Sequence, residues 1–211
     1  MKALEKTVAE RLLSIKAIKL QPNNPFTWAS GWKSPIYCDN RKTLSYPSIR
    51  TYIKNALVKT IMEQYPDVEV IAGVATGAIA QGALVADELG LPFIYVRSSP
   101  KGHGLENLIE GDLKPKQKVV VIEDLISTGG SSLKAVEAIR KDGSEVLGMV
   151  AIFTYGFLEA EAKFKAAKVK LTTLSNYETV LTEALATNYI SDKDVDTLRE
   201  WRQNPGEWKK D

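Results

Sequence analysis

The chain has 211 residues, 44% of them hydrophobic and 26% charged, with a formal charge of +2. That length and apolar content suit one folded domain with a sizeable core, while the near-balanced charge argues against nucleic acid or an anionic membrane as a partner. A single cysteine, Cys38, excludes an internal disulfide, and a single histidine, His103, leaves no zinc ligand set; no apolar run reaches the length of a membrane span. The N-terminus has no apolar h-region, so a reducing cytoplasm is the expected compartment.

In chain order, Leu4, Val8, Leu12 and Ile15 mark one face of an amphipathic helix over residues 2–16. Residues 20–45 read as loop, rich in aromatics, with turn chemistry at Pro22, Asn23, Asn24 and Pro25 and again at Gly31. A helix is expected over 47–64, a strand over 68–75, a helix over 77–89 and a strand over 91–96. A buried strand and its helix follow within 118–142, then a strand over 145–153, a helix over 157–166, a strand over 169–174, and helices over 177–186 and 192–203. Strands alternating with helices predict a mainly parallel α/β sheet. Ligands of such sheets sit outside the carboxyl ends of the strands. The loops after Ala75, Val96 and Asp124 are therefore candidates for one site.

The run from Val119 to Ser132 is the most informative. Val119, Val120, Val121 and Ile122 read as a strand buried on both faces, ended by Glu123 and Asp124. Leu125 and Ile126 lead into the turn Ser127, Thr128, Gly129, Gly130 and Ser131, after which Leu133, Ala135, Val136 and Ile139 take helical spacing. A glycine turn at a helix N-terminus offers backbone donors and partial positive charge to one phosphate. Two carboxylates just before it suit a pair of vicinal hydroxyls. A purely structural role gives no reason to place two acids there, because burying unpaired carboxylates is costly. Phosphate at one end and a diol at the other describe a ribose 5-phosphate.

One connection breaks the alternation. Between Arg97 and Lys118 there is no helical pattern, and a stretch of that length without structure in a compact domain is usually a lid or binding loop. It carries His103 between two glycines, with Lys101 nearby. Such a cationic loop suits closure over a polyphosphate, exclusion of water and supply of a proton.

The run Val119 to Ser132 closely resembles the phosphoribosyl diphosphate (PRPP) motif of the type I phosphoribosyltransferases. Arg97, Lys101, His103 and Gly104 resemble the catalytic loop of the orotate phosphoribosyltransferases, with Ser98 where that family commonly has lysine. The segment from Phe26 to Arg41 resembles the family's base-covering N-terminal segment, with Ala29 at a position where some members carry lysine. Residues 73–79, containing Ala75, Thr76 and Gly77, resemble its pyrophosphate loop. Tyr155 stands in a region where some members place an arginine near the base, and the stretch from Leu198 to Trp208 is similar to a subset of bacterial members.

The resemblance implies a type I phosphoribosyltransferase fold. It would be one domain over 1–211, with a hood at 1–45 contributing base contacts, a core sheet at 65–175, a flexible catalytic loop, and C-terminal helices at 176–211. It implies Mg²⁺-dependent transfer of ribose 5-phosphate from PRPP to orotate in pyrimidine synthesis, within a homodimer whose lid reaches the neighbouring site. Lys101, His103 and Asp124 would be catalytic. PRPP would be held by Arg97, Lys101, His103 and residues 123–131, pyrophosphate by Ala75, Thr76 and Gly77, and orotate by Ile36, Tyr37 and Ser127. Mg²⁺ would be carried mainly by substrate and water, with Asp124 as the protein's contact. In a structural role Trp28, Trp32 and Tyr37 would simply pack, Cys38 would be inert, and Lys33 and Arg41 would be solvated or interface charges. The competing expectations are transfer to a purine or to uracil, and a PRPP-sensing regulator without turnover.

Overall fold

The structure, a computed structural model, describes residues 2–28, 31–99 and 108–209. Its elements are α1 (Lys2–Ser14), β1 (Ile18–Leu20), β2 (Phe26–Thr27), β3 (Lys33–Ser34), β4 (Ile36–Cys38), a 3-10 helix (Asn40–Ser45), α2 (Pro47–Gln64), β5 (Val70–Val74) and α3 (Ile79–Leu89). They continue with β6 (Phe93–Val96), β7 (Ile109–Glu110), β8 (Lys118–Ile126), α4 (Gly130–Lys141), β9 (Glu145–Thr154), α5 (Leu158–Ala166), β10 (Leu171–Asn176), α6 (Tyr177–Ala186) and α7 (Asp192–Gln203).

Six strands form the central sheet in the order β10-β9-β8-β5-β6-β7. All pair in parallel except β7, which runs antiparallel to β6. The mainly parallel sheet expected from the alternating pattern is this one. Buried on both faces, its central strands read as unbroken apolar runs, Val70–Val74 in β5 and Val119–Ile122 in β8. One apolar layer packs β5, β8 and β9 residues against α1, α2, α6 and α7; the other packs them against α4 and α5. Among the described residues no helix is long and apolar enough to cross a membrane.

Three departures from the sequence pattern have local causes. Residues 20–45 hold two small antiparallel pairs, β1 with β4 and β2 with β3, rather than loop alone. Strands of two or three residues are too short to show an alternating pattern. The connection after Arg97 is not structureless throughout: Ile109 pairs with Val96 and Glu110 with Tyr95, so the chain returns to the edge of β6 before β8 begins. Finally, Glu123 and Asp124 do not end their strand. β8 runs on to Ile126 because β9 accompanies it as far as Thr154.

Candidate active site

The site arises where one neighbour of β8 stops. β5 pairs with β8 only as far as Gly73 opposite Ile122, then turns away at Ala75. β8 continues beside β9 alone, and the vacated flank opens a cleft of about 230 Å³. Its walls are the turn Val74 to Gly77 after β5, Glu123 to Leu125 in β8, and the turn Ser127 to Ser132 leading into α4.

The peptide groups of Asp124 show the consequence of losing that neighbour. Buried N–H and C=O groups must find partners. The Asp124 N–H donates to Glu123 Oε1 (2.9 Å), and the Asp124 carbonyl accepts from Asn40 Nδ2 (2.5 Å). Glu123 Oε2 accepts from Ser132 Oγ on α4 (2.7 Å). Both acids are thereby tied into the scaffold.

Burial pushes the Glu123 carboxyl up to about 8, and the neighbouring charge of Asp124 adds to the rise. Asp124 is also raised by burial, a rise that the Glu123 hydrogen bond and the Arg41 charge moderate. Two desolvated carboxylates side by side favour any ligand that brings hydroxyl donors or positive charge.

Opposite them, Gly77 lies so close that a Cβ there would overlap the Asp124 carboxylate. Gly77→Ala is therefore expected to push that carboxylate aside, lowering kcat/KM for the substrate of this cleft about 10-fold with little change in Tm. Steady-state kinetics beside a thermal melt checks this; an unchanged kcat/KM would show that the Asp124 position is not critical. On the far side, Gly129 adopts φ +77, and a Cβ there would meet the Phe164 ring at 2.9 Å. Only glycine fits both the backbone and the space. Gly129 precedes Gly130 of α4, so the first amides of that helix face the cleft mouth.

Not every residue expected at the site is there. Ala75, Thr76, Gly77, Glu123, Asp124, Leu125, Ser127, Thr128, Gly129 and Ser131 line the cleft; Ile126 and Gly130 do not. Ile126 is fully buried in the core layer shared with α4. The Ala75 amide already donates to the Val96 carbonyl (2.8 Å) and is not free for another acceptor. The peptide bond between Ala75 and Thr76 is cis. Arg97 forms an ion pair with Glu110 (3.5 Å) across the β6–β7 pair instead of lining the cleft. Lys101 and His103 lie outside the described residues.

The hood divides similarly. Ile36 has no exposed surface, and its carbonyl accepts from Trp28 Nε1 (3.1 Å) and Ser34 Oγ (2.8 Å); its side chain belongs to the core, not to a base contact. Tyr37 is 39% exposed beside Phe26, and so remains available to a ligand. Trp28 packs on Tyr155 (5.2 Å between centroids) and edge-on to Trp201 (5.5 Å), whose indole N–H donates to Lys33 O (3.1 Å). Burial pushes the Cys38 thiol up, with Asp124 and Asp39 adding to the rise, as an inert cysteine requires. Arg41 is held by Asp39 through two contacts, 2.7 and 3.1 Å. Sequence reasoning missed Ser132 and Asn40. Ser132 is one helical turn from Gly129 on the face toward β8, a placement that the turn pattern contains; nothing in the sequence joins Asn40 to Asp124.

Known proteins place this geometry. A phosphoribosyl transferase domain model matches residues 45–186. The orotate phosphoribosyltransferase of Porphyromonas gingivalis is 70% identical over 208 residues, covering 99% of each chain. The crystal structure of orotate phosphoribosyltransferase from Aeropyrum pernix superposes with a TM-score of 0.75 at 28% identity, over 87% of this chain and 99% of that one. Leishmania donovani UMP synthase matches with a TM-score of 0.79 at 25% identity over 94% of this chain, which spans 42% of that longer protein. With the two acids and the turns Val74–Gly77 and Ser127–Ser132 lining one cleft, and with relatives 70% identical over nearly the whole of both chains, the chain belongs to the orotate phosphoribosyltransferase family of phosphoribosyltransferases.

Proposed function

We propose that this chain transfers the 5-phosphoribosyl group of PRPP to orotate, giving orotidine 5′-monophosphate and pyrophosphate, a step of pyrimidine synthesis. The observation that carries this is the cleft itself: amides at Thr76 and Gly77, the acids Glu123 and Asp124, and the Ser127–Ser131 turn all line one space. Their order matches pyrophosphate, ribose diol and 5-phosphate along one substrate. The whole chain acts as one domain, with residues 1–45 as the hood.

As the bond from C1 to the pyrophosphate oxygen breaks, the leaving group takes the electron pair and the ribose gains oxocarbenium character. A nitrogen of orotate bonds to C1 and gives up its proton to water, which offsets the proton taken up by the pyrophosphate. The Ser127–Ser131 turn holds the 5-phosphate, lending remote binding energy to orientation at C1. Asp124 orients the diol and stabilises the positive ribose, with Glu123 behind it. Arg97 and Lys101 meet the leaving charge when the lid closes, and His103 supplies a proton to the departing pyrophosphate.

Asp124, a hard oxygen donor lining the cleft, would suit a contact to Mg²⁺, with substrate oxygens and water completing the shell, while both Glu123 oxygens are engaged by the Asp124 N–H and Ser132 Oγ. When bound, the ion neutralises charge on the leaving pyrophosphate. The working unit is a homodimer in which each lid serves the neighbouring site.

Loss of orotate absorbance on adding PRPP and Mg²⁺ tests the reaction, with uracil and purine bases run in parallel. Consumption of orotate alone, matched one for one by pyrophosphate, is expected. Turnover of another base would overturn the base assignment and keep the PRPP cleft; no turnover of any base would overturn the reaction. Lys101→Ala is expected to lower kcat about 100-fold. Mixed dimers of Lys101→Ala and Asp124→Asn chains should regain part of the lost activity, and no recovery in verified mixed dimers would refute lid sharing.

A further inference from the structure

Asn40 is the first residue of the 3-10 helix that follows the hood strand β4, and it is 2% exposed. Every polar group on its side chain and its carbonyl is engaged. Nδ2 donates to the Asp124 carbonyl (2.5 Å), Oδ1 accepts from the Cys38 thiol (3.4 Å), and the Asn40 carbonyl accepts from Thr43 Oγ1 (2.6 Å). Thr43 Oγ1 in turn accepts from Gln81 Nε2 on α3 (3.4 Å), the helix that follows the anion turn. Asn40 thus joins three pieces of the site: the hood, the acid strand and the helix behind Thr76 and Gly77.

The bond to Asp124 sits where the sheet cannot supply one. β5 pairs with β8 only as far as Ile122, so Asp124 has no strand neighbour on that flank. Its N–H is taken by Glu123 and its carbonyl by Asn40. With a side chain holding each of the two peptide groups that flank its Cα, Asp124 keeps one backbone orientation, and its carboxylate inherits it. Replacing β5 by one amide leaves the flank open for substrate while still fixing the peptide. A water in that place would satisfy the carbonyl without holding it to the hood.

The geometry points to Asn40 as a positioning residue for the Asp124 carboxylate: its amide substitutes for the missing strand β5 and mechanically links the base-covering hood to the acid that holds the ribose diol. This rests on the PRPP reading of the cleft, and goes beyond it in naming the group that sets the acid's orientation.

The test is a double-mutant cycle on the full-length protein, read by PRPP affinity in titration calorimetry and by kcat and KM. Asn40→Ala is expected to weaken PRPP about 10-fold and lower kcat about 10-fold, with the KM for orotate changed less than 3-fold. In an Asp124→Asn background the same substitution should change PRPP affinity less than 2-fold, because the group it positions is already disabled. A general structural defect would cost the same factor in both backgrounds, and that result overturns the inference. Asn40→Asp, close to isosteric, replaces the donor by an acceptor and sets a negative charge against the Asp124 carbonyl; it should weaken PRPP at least as much as Asn40→Ala, and wild-type behaviour overturns the inference even if the alanine variant fails to fold. Failure of the wild-type chain to bind PRPP would instead refute the cleft reading, so the two failures are distinguishable.

Discussion

Asp124→Asn is expected to lower kcat/KM by about 10³-fold while leaving the fold intact. The substitution is isosteric and does not touch the peptide, so the Asn40 contact to the Asp124 carbonyl survives. What disappears is one negative charge in a buried cleft, facing a ribose that turns positive in the transition state. Preorganised charge in a water-poor site is worth about 10²–10³ in rate for a single group, and the lost charge-assisted hydrogen bond to a ribose hydroxyl adds about 1.5–3 kcal/mol. Stability should not fall, because burial already holds the Asp124 carboxyl above its ordinary value, so its ionised form is disfavoured in the folded chain. Kinetics with saturating orotate, beside a thermal melt, checks both halves. A loss under about 10-fold would mean that Asp124 contributes little to stabilising the transition state.

The central sheet and the cleft walls were legible because their physics is local. Four β-branched residues in a row can only be a strand buried on both faces, and a glycine turn before Leu133, Ala135, Val136 and Ile139 can only open a helix. α2, α6 and α7 lie where periodicity places them, over Pro47–Gln64, Tyr177–Ala186 and Asp192–Gln203. What could not be read depends on partners distant in sequence. β7 is two residues long and exists only because β6 offers an edge. β8 extends beyond its acids because β9 extends beside it. The family resemblance of residues 26–41 implies a base contact at both Ile36 and Tyr37, yet alternation along β4 turns Ile36 inward and Tyr37 outward. Asn40 and Asp124 meet across 84 positions in the sequence, and no local pattern carries that.

Glu123→Gln should make the protein more stable at pH 8 and less active. The folded state holds the Glu123 proton up to about pH 8, while an unconstrained glutamate releases it near 4.5. Between those values the folded chain binds more protons than the unfolded one, so stability falls as pH rises through this window and is fully present only below it. The full shift corresponds to about 5 kcal/mol for this buried group. Glutamine copies the protonated carboxyl: its oxygen can accept from the Asp124 N–H and its amide can donate to Ser132 Oγ. The variant should therefore melt about 10–15 °C above wild type at pH 8 and within about 3 °C of it at pH 5. Equal melting temperatures at both pH values would mean that Glu123 is ionised at no cost. A sequence selected for stability alone would carry Gln or Leu at this position. Retaining a carboxylate that destabilises the free protein makes sense if a ligand supplies the donors or charge that relieve it. PRPP binding near pH 7 should then release a proton, seen as a binding enthalpy that varies with buffer ionisation heat, and Glu123→Gln should abolish that dependence.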